Sequence, residues 1–435
     1  MQTEGGKSGA GLPDSTVSPT TPEIRIALLT GGADRPYVFG LASSLISKGV
    51  SLDLIGSDEL DFPHFHNRSG VNFLNLRGSQ RPDATFATKV SRILRYYAKL
   101  IRYVSTAKPT ILHILWNNKF ELFDRTLLML YYRMLGKRVA LTVHNVNAGR
   151  RDSKDTSLNR RTLRIQYMLS DHIFVHTEKM RLELIEEFGA SADRITVIPF
   201  GLNNAVPITD ITPAQARQRL GIGNDKKTVL FFGNITPYKG LEYLIAAFRQ
   251  VLCGGEEYQL IIAGRPDRCE KYWRTIQQRI DEETLRRQVL LRAEFIPDEE
   301  TELYFKAADV LVLPYRHVYQ SGVLFLGYSF GVPVIAADVG SLKDTIAEGK
   351  TGFVFKPEDA NDLTKTIERY FASDLFTNLD NRRQEIRAYA AERHSWDVVG
   401  QITMSIYGGL LHMPSPEQGL DRDTSRASLD AKASS

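Results

Sequence analysis

One lysine stands where a bound phosphate would favour it. In the stretch FFGNITPYKGLEYLIAAF, an apolar strand ends at Gly233, a loop containing proline follows, and Lys239 with Gly240 opens an amphipathic helix. The helix dipole disfavours a cation at this end by roughly 0.3 to 1 kcal/mol, and a bound anion would reverse that penalty. The pattern indicates a phosphate site at Lys239, with an ordinary surface lysine as the alternative.

A second polar group follows the apolar strand ALTVHN. His144 ends this strand, and Asn145, Asn147 and Arg150 continue a polar loop beyond it. Open α/β sheets bind ligands at the carboxyl ends of their strands. We predict that His144 hydrogen-bonds a substrate or stabilises charge, with a purely structural histidine as the alternative.

A small-residue turn lies within residues 315–340, between an apolar strand and an apolar helix. Ser321 and Gly322 form this turn together with Gln320, and Val323 follows in the helix. The first N–H groups of a helix have no partner within it, which suits a bound phosphate. An ordinary strand-helix-strand crossover gives the same pattern, so the turn alone leaves both interpretations open.

A basic helix is predicted between residues 87 and 108. Its cations recur every three or four residues, which gathers them on one face: Lys89, Arg92, Arg95, Lys99 and Arg102. Such a helix can lie on an anionic membrane. The alternative is a solvated outer face of an α/β layer.

The elements that must position these residues alternate regularly. Apolar strands and helical stretches follow each other from residue 24, which predicts two doubly wound α/β domains with parallel sheets. We expect a first domain over residues 23–205 and a second over 206–393. A helix over residues 394–412 follows, and flexible tails are expected at 1–22 and 413–435.

Composition excludes several classes of protein. The net charge of the 435 residues is only +4, which argues against a dedicated nucleic-acid-binding protein. The two cysteines fit neither a metal site nor a disulfide framework, which favours a reducing cytoplasm. There is no GxxxxGK[ST] phosphate loop, no G-x-S-x-G elbow and no GxGxxG fingerprint.

With these residues in hand, the chain resembles a retaining GT-B glycosyltransferase of the family called glycosyl transferases group 1 (family 4 type). The resemblance runs from about residue 24 to 412. It is carried by the order of TGGADRP, TVHN, HTEKMRLELIEEFG, FGNITPYKG, IIAGRPD, QSGVL and GVPVIAADVG. It implies the GT-B fold, in which two Rossmann-like domains face each other across a cleft, with the donor in the second domain and the acceptor in the first.

The resemblance implies a role for each motif residue. Lys239 would contact the donor diphosphate near Gly233, and His144 would contact the transferred sugar. Gly32 would approach the phosphate from the first domain. Main-chain amides would come from Ser321, Gly322 and Val323, and the acceptor side would use Asn145, Asn147 and Arg150. The family's chemistry implies no metal and no cofactor apart from the nucleotide sugar itself.

Two departures from the family pattern concern the donor site. Asn234 stands where the family carries an arginine, and Arg265 is our hypothesis for a substitute cation. The two glutamates of the family's Glu-x7-Glu motif fall on Val318 and Leu326. Tyr319 and Gln320 are the predicted replacements for the missing sugar contacts.

The resulting prediction is transfer of a hexose from a nucleoside-diphosphate sugar to a hydroxyl group, with retention, in polysaccharide or glycolipid synthesis. Expected partners are a glycan or lipid-linked acceptor and a membrane surface contacted through residues 87–108, with no nucleic acid. The expected location is the cytoplasm, on the inner face of the membrane. A sugar-nucleotide epimerase, a phosphorylase or a non-catalytic sugar-binding protein of the same fold are the alternatives.

Overall fold

The computed structural model contains two parallel sheets connected in sequence order. It describes residues 24–31, 34–66, 68–80, 85–118, 120–151, 155–204, 206–254, 258–281 and 283–412. The expected tails at 1–22 and 413–435 lie outside the described residues, as does Gly32. All strands, helices and contacts described for the protein lie within these ranges.

The first sheet has seven parallel strands in the order β3-β2-β1-β4-β5-β6-β7. Central strands such as RVALTV are buried along their whole length, which is typical of a sheet covered on both faces. The strands are β1 (Arg25–Leu29), β2 (Ser51–Gly56), β3 (Val71–Asn75), β4 (Ile111–Ile114), β5 (Arg138–Val143), β6 (His172–Val175) and β7 (Ile195–Val197).

Seven α-helices connect these strands. Right-handed crossovers place the helices that follow β3, β4 and β5 together on one face, opposite the helix that follows β1. The helices are α1 (Arg35–Ser47), α2 (Phe86–Thr106), α3 (Glu121–Arg125), α4 (Leu127–Met134), α5 (Ala148–Arg151), α6 (Ser157–Leu169) and α7 (Glu178–Phe188). Short 3₁₀ turns lie at Asp58–Leu60, Pro63–Phe65 and Ala192–Arg194.

The second sheet has six parallel strands in the order β10-β9-β8-β11-β12-β13. These are β8 (Lys227–Phe232), β9 (Tyr258–Ala263), β10 (Val289–Arg292), β11 (Val310–Leu313), β12 (Val334–Ala337) and β13 (Gly352–Phe355). Two doubly wound domains of the GT-B type were predicted from the sequence, and the two sheets confirm that fold class.

The second sheet is covered by helices on both faces. They are α8 (Pro213–Leu220), α9 (Leu241–Leu252), α10 (Glu270–Ile280), α11 (Glu283–Arg286), α12 (Asp298–Ala307), α13 (Gly322–Ser329), α14 (Leu342–Thr345), α15 (Ala360–Phe371), α16 (Asp374–Thr377) and α17 (Leu379–His394). Among the described residues no helix combines the length and apolar character needed to cross a membrane.

The chain crosses between the two sheets twice, and the two crossing segments are bonded to each other. The Leu202 N–H donates to the His394 carbonyl at 2.9 Å, and the Trp396 indole donates to the Leu202 carbonyl at 2.6 Å. The last helix, α18 (Trp396–His412), packs against α1 of the first sheet. The two sheets are therefore joined by two chain segments that are hydrogen-bonded to each other.

Candidate functional site

Lys239 is a buried cation beside the end of strand β8. It closes the 3₁₀ turn Pro237–Lys239, and Gly240 caps α9 in a left-handed conformation with φ of +64°. Burial lowers the pKa of Lys239 to about 8. Its ammonium group lies 5.7 Å from the centre of the Tyr315 ring, and no described carboxylate pairs with it. An unpaired buried charge is costly, so a ligand anion would be favoured here.

Two glycines bring the strand ends close together around this lysine. A Cβ added to Gly233 would lie 2.9 Å from the Lys239 Nζ and 3.5 Å from a Val323 methyl group. A Cβ at Gly264 would lie 2.1 Å from the Gly233 carbonyl oxygen. The loops after β8 and β9 therefore meet in a way that leaves no room for side chains at these two positions.

A cavity of about 210 Å³ opens beside these glycines. Gly233, Asn234, Arg265 and Leu326 contribute to its wall. Arg265 is exposed, stacks over the Phe295 ring at 5.9 Å, and has no carboxylate partner among the described residues. The structure thus brings Asn234 and its hypothetical substitute Arg265 to one cavity, and places the apolar Leu326 in the same wall.

A second cavity, of about 270 Å³, lies between the two domains. Gly322 and Val323 at the start of α13 line it from one side, and Tyr37 and Phe200 line it from the other. Gly322 is exposed, and the nearest atom to an added Cβ there would be 3.8 Å away. The first turn of α13 therefore opens towards the cleft.

Ser321 and Gln320, just before α13, differ in their hydrogen bonding. Ser321 is buried and lies 3.3 Å from the Tyr315 hydroxyl. The Oε1 atom of Gln320 is buried without a hydrogen-bond partner. Buried acceptors of this kind are rare in folded proteins, and a ligand hydroxyl would satisfy this one.

Tyr319 reaches across to the first domain. Its hydroxyl donates to the carboxylate of Glu183 on α7, at 2.8 Å from each oxygen. The Tyr319 ring is packed in the core of the first domain. The Gly340-Ser341 turn holds the loop in place, because the Ser341 hydroxyl donates to the Tyr319 carbonyl at 2.7 Å. In this conformation the Tyr319 hydroxyl that was predicted to contact the sugar is engaged by Glu183.

His144 lies at the end of β5, enclosed by aromatic rings. Trp116 stacks on it with ring centres 4.0 Å apart, and Tyr37 meets it edge-on at 4.7 Å. Burial, reinforced by the neighbouring His176, holds the pKa of His144 well below its ordinary value. The imidazole is therefore neutral near pH 7.

A chain of hydrogen bonds fixes the protonation of His144. His176, at the end of the adjacent strand β6, has Nδ1 at 3.4 Å from the Ile198 carbonyl and Nε2 at 3.0 Å from the His144 Nδ1. Burial lowers the pKa of His176 to about 4, so it is also neutral. Because the carbonyl can only accept, His176 donates through Nδ1 and accepts through Nε2. His144 then carries its proton on Nδ1, and its Nε2 is a buried acceptor without a partner.

The acceptor-side candidates are largely occupied within the first domain. Asn147 is buried, donates to Asp155 at 2.8 Å and accepts from Asn159 at 2.9 Å. Arg150 pairs with Glu183 at 3.0 Å and also with Glu187. These bonds fix the loop after β5.

Asn145 is the acceptor-side candidate that faces open space. It lines a cavity of about 180 Å³ together with His144, Trp116 and Gln166. Glu121 and Arg125 also line this cavity, so it offers amide, carboxylate and guanidinium groups that can bind hydroxyl-rich ligands.

Sequence reasoning missed two residues of this region. Trp116 follows β4, and an aromatic residue at a strand's carboxyl end was a usable signal for a ligand-binding edge. Glu183 carried no such signal, because it is one of several glutamates on a surface helix. The contact with Tyr319 joins residues that are 136 positions apart.

Two family models match the chain in consecutive order. The model for Glycosyltransferase Family 4 matches residues 30–205, and the model for Glycosyl transferases group 1 matches residues 214–393. The first match includes His144 and the second includes Lys239, which lie on opposite sides of the cleft described above. The chain belongs to the group 1 glycosyltransferases.

Two curated relatives illustrate how far this group 1 glycosyltransferase has diverged. An uncharacterized glycosyltransferase of Methanocaldococcus jannaschii is 24% identical over 378 residues, covering 85% of this chain and 92% of the relative. The D-inositol 3-phosphate glycosyltransferase of Corynebacterium aurimucosum is 26% identical over 292 residues, covering 63% of this chain and 65% of the relative. The second match thus spans just under two thirds of that relative.

Solved structures share the GT-B fold of this glycosyltransferase. Sucrose-phosphate synthase from Thermosynechococcus elongatus superimposes with a TM-score of 0.72 at 20% identity, covering 89% of this chain and 99% of the other. The Anabaena protein HepE, in complex with UDP and glucose, superimposes with a TM-score of 0.69 at 15% identity, covering 89% of this chain and 100% of HepE. At these identities the likeness concerns the fold.

Proposed function

We propose that this glycosyltransferase moves a hexose from a nucleoside-diphosphate sugar to a hydroxyl group of a glycan or lipid-linked acceptor, with retention at the anomeric carbon. The observation that carries the proposal is Lys239, a buried cation with no carboxylate partner among the described residues. It stands beside Gly233, which lines the cavity of about 210 Å³ at the ends of β8 and β9.

The donor would lie along the second domain. Its diphosphate would meet Lys239 and the first amides of α13, and its nucleoside would enter the cavity lined by Asn234 and Arg265. Gly32 would complete the site from the first domain. A structural neighbour supports a nucleotide-sugar donor, since the Anabaena protein HepE was solved in complex with UDP and glucose on the same fold.

Cleavage of the anomeric bond would leave negative charge on the diphosphate and an oxocarbenium-like sugar. A fixed cation and fixed N–H groups stabilise such a leaving group without reorganisation. The neutral His144 would contact the sugar through Nε2, whose lone pair accepts a hydrogen bond from a sugar hydroxyl. The acceptor oxygen would form the new anomeric bond, and its proton would pass to the leaving diphosphate. We propose no cofactor beyond the donor, and we expect turnover to be unchanged by a chelator.

The acceptor would enter from the first domain through the cavity lined by Asn145 and Gln166. We propose that it belongs to polysaccharide or glycolipid synthesis and that the enzyme works in the cytoplasm, at the inner face of the membrane. Helix α2 is the proposed contact with that membrane.

A donor panel tests the proposal. UDP-, GDP- and ADP-sugars are added to the wild type, Lys239→Met and the exposed control Lys271→Met, and the melting temperature is followed. We expect one nucleotide class to stabilise the wild type and the control but not Lys239→Met. If no nucleotide sugar stabilises the wild type, the proposal is wrong.

The same donor then separates the alternatives. Product formation without any acceptor would indicate an epimerase, and a requirement for phosphate would indicate a phosphorylase. Binding without turnover in the presence of lipid and glycan extracts would indicate a sugar-binding protein. The anomeric configuration of the product, read by NMR, tests retention.

A further inference from the structure

Exposed apolar side chains are concentrated on one part of the surface. Among the described residues, fourteen leucine, isoleucine, methionine and phenylalanine side chains are exposed, and eleven of them lie between Phe86 and Met168. Only two, Ile208 and Phe295, come from the described residues after position 205. Scattered exposed apolar residues are normal, whereas a concentration of them marks an interaction surface.

Three helices carry most of this group, and they lie side by side on one face of the first sheet. The Tyr131 hydroxyl of α4 donates to the Ile101 carbonyl of α2 at 3.4 Å. Arg133 of α4 donates to the Leu169 carbonyl of α6 at 3.2 Å. We call the outer surface of α2, α4 and α6 the basic apolar face.

The apolar side chains of this face point outward to a large extent. Leu94 of α2 is 61% exposed, Leu127 and Met134 of α4 are 62% and 79% exposed, and Met168 of α6 is 64% exposed. Each helix also buries an opposite stripe in the core of the first domain, for example Leu100, Met129 and Leu163. The outward residues are therefore not needed to hold the helices in place.

The charges of the face all have one sign. Helices α2, α4 and α6 contain no aspartate or glutamate, and their cations are Lys89, Arg92, Arg95, Lys99, Arg102, Arg133, Arg160, Arg161 and Arg164. Six of these have no carboxylate partner among the described residues, namely Arg92, Arg95, Lys99, Arg102, Arg161 and Arg164. The outer helices of the second domain differ, since α10, α12 and α15 each contain both signs.

We infer that the basic apolar face docks on an anionic lipid bilayer. Cations attract the lipid head groups while apolar side chains insert beside them, and long basic side chains can reach outward around the apolar ones. A second copy of this chain fits the face less well, because two such surfaces would bring like charges together. The inference extends the proposed contact of α2 to a flat surface formed by three helices.

The position of this face has a consequence for the acceptor. The cavity beside His144 is lined by Arg125 of α3 and by Leu163 and Gln166 of α6, so α6 contributes to both the face and the cavity. A bilayer on this face would bring lipid head groups to the acceptor side of the cleft. This consequence rests on the proposed function, whereas the docking itself does not.

Vesicle sedimentation tests the docking with the full chain and without any donor. Vesicles of phosphatidylcholine with phosphatidylglycerol are compared with phosphatidylcholine alone. We expect binding to the anionic vesicles that weakens with added salt. Lys99→Glu with Arg102→Glu should weaken it by about tenfold or more, since each cation near the surface is worth roughly fivefold. Leu127→Gln with Met134→Gln should also weaken it by about tenfold.

The matched control is Lys271→Glu with Arg274→Glu on α10, which makes the same charge change on the second domain. We expect it to bind like the wild type, and all variants to melt like the wild type because the changed side chains are exposed. Equal loss in the control, or no preference of the wild type for anionic vesicles, overturns the inference. A dimer that Leu127→Gln with Met134→Gln dissociates, without vesicle binding, would assign the face to a second copy instead. Donor turnover, measured separately, reports on the proposed function alone.

Discussion

The two sheet edges that face each other across the cleft use their polar side chains differently. On the second-domain side, Lys239 and Arg265 have no carboxylate partner among the described residues, and Gly322 opens α13 towards the cleft. On the first-domain side, Asn147 and Arg150 are bonded to neighbouring side chains. Polar groups kept free at the end of a parallel strand are available to a ligand, whereas bonded ones stabilise their own loop.

Among the substitutions at the two sheet edges, loss of Lys239 is expected to lower donor turnover the most. Lys239→Met removes the cation from the donor side, and kcat/KM for the donor should fall by about 100-fold or more, because fixed charge at a leaving group is a large contribution. The melting temperature of the free protein should not fall, since an unpaired buried charge is removed. Lys271→Met is the control. A change in kcat/KM of less than threefold would contradict the assignment.

The second largest effect is expected from pH: donor binding should weaken as the pH rises. The pKa of Lys239 is about 8, below its ordinary value, so the cation is present below that pH and is lost above it. Affinity for a nucleoside-diphosphate sugar should therefore be nearly constant below about pH 7, fall about twofold by pH 8 and on the order of tenfold by about pH 9. Calorimetric titration at several pH values measures this. A decline of the same size in Lys239→Met would assign the titration to another group.

Arg265 tests the free cation at the rim of the donor cavity. Arg265→Gln should lower donor affinity by about fivefold, which is the size expected of one partly exposed charge contact. The neighbouring Arg268→Gln, whose side chain is almost fully exposed, should leave affinity unchanged. Unchanged affinity in Arg265→Gln would remove the hypothesis that this residue replaces the family arginine missing at Asn234.

Substitution of Tyr319 should have the smallest effect on donor binding. Its hydroxyl is already hydrogen-bonded within the protein, as the side chains of Asn147 and Arg150 are. Tyr319→Phe removes the hydrogen bond to Glu183, and the free energy of unfolding should fall by about 1 kcal/mol. Donor affinity should stay within twofold. Tyr389→Phe, which removes a longer bond of 3.5 Å, serves as the control in urea unfolding. A tenfold loss of donor affinity in Tyr319→Phe would restore the original prediction of a sugar contact.

The sequence predicted the alternating elements and which candidate residues lie at the ends of strands. Periodic apolar segments separated by glycine and proline are strong signals for alternating strands and helices, and parallel sheets bring strand ends such as Gly233 and Gly264 together. The motif order was also sufficient to indicate the family. These features depend on short segments of the chain.

Contacts between distant segments could not be predicted in the same way. Tyr319 and Glu183 meet only because the two domains are placed face to face, and no local pattern encodes that placement. His172 and His176 are four positions apart in an extended segment, which keeps their side chains far from each other. The actual partner of His176, His144, lies at the end of the adjacent strand, and that pairing requires the order of the strands in the sheet.

Helix α18 has a consequence for when the first domain can finish folding during synthesis. Trp396, Val399 and Tyr407 of α18 belong to the same apolar cluster as α1, and the Tyr407 hydroxyl bonds the buried His113. A nascent chain therefore lacks one wall of its first domain until α18 (Trp396–His412) has left the ribosome, which is after the whole second sheet has been synthesised. Translation that stops inside the second domain leaves the apolar side of α1 uncovered, a state that chaperones and proteases recognise.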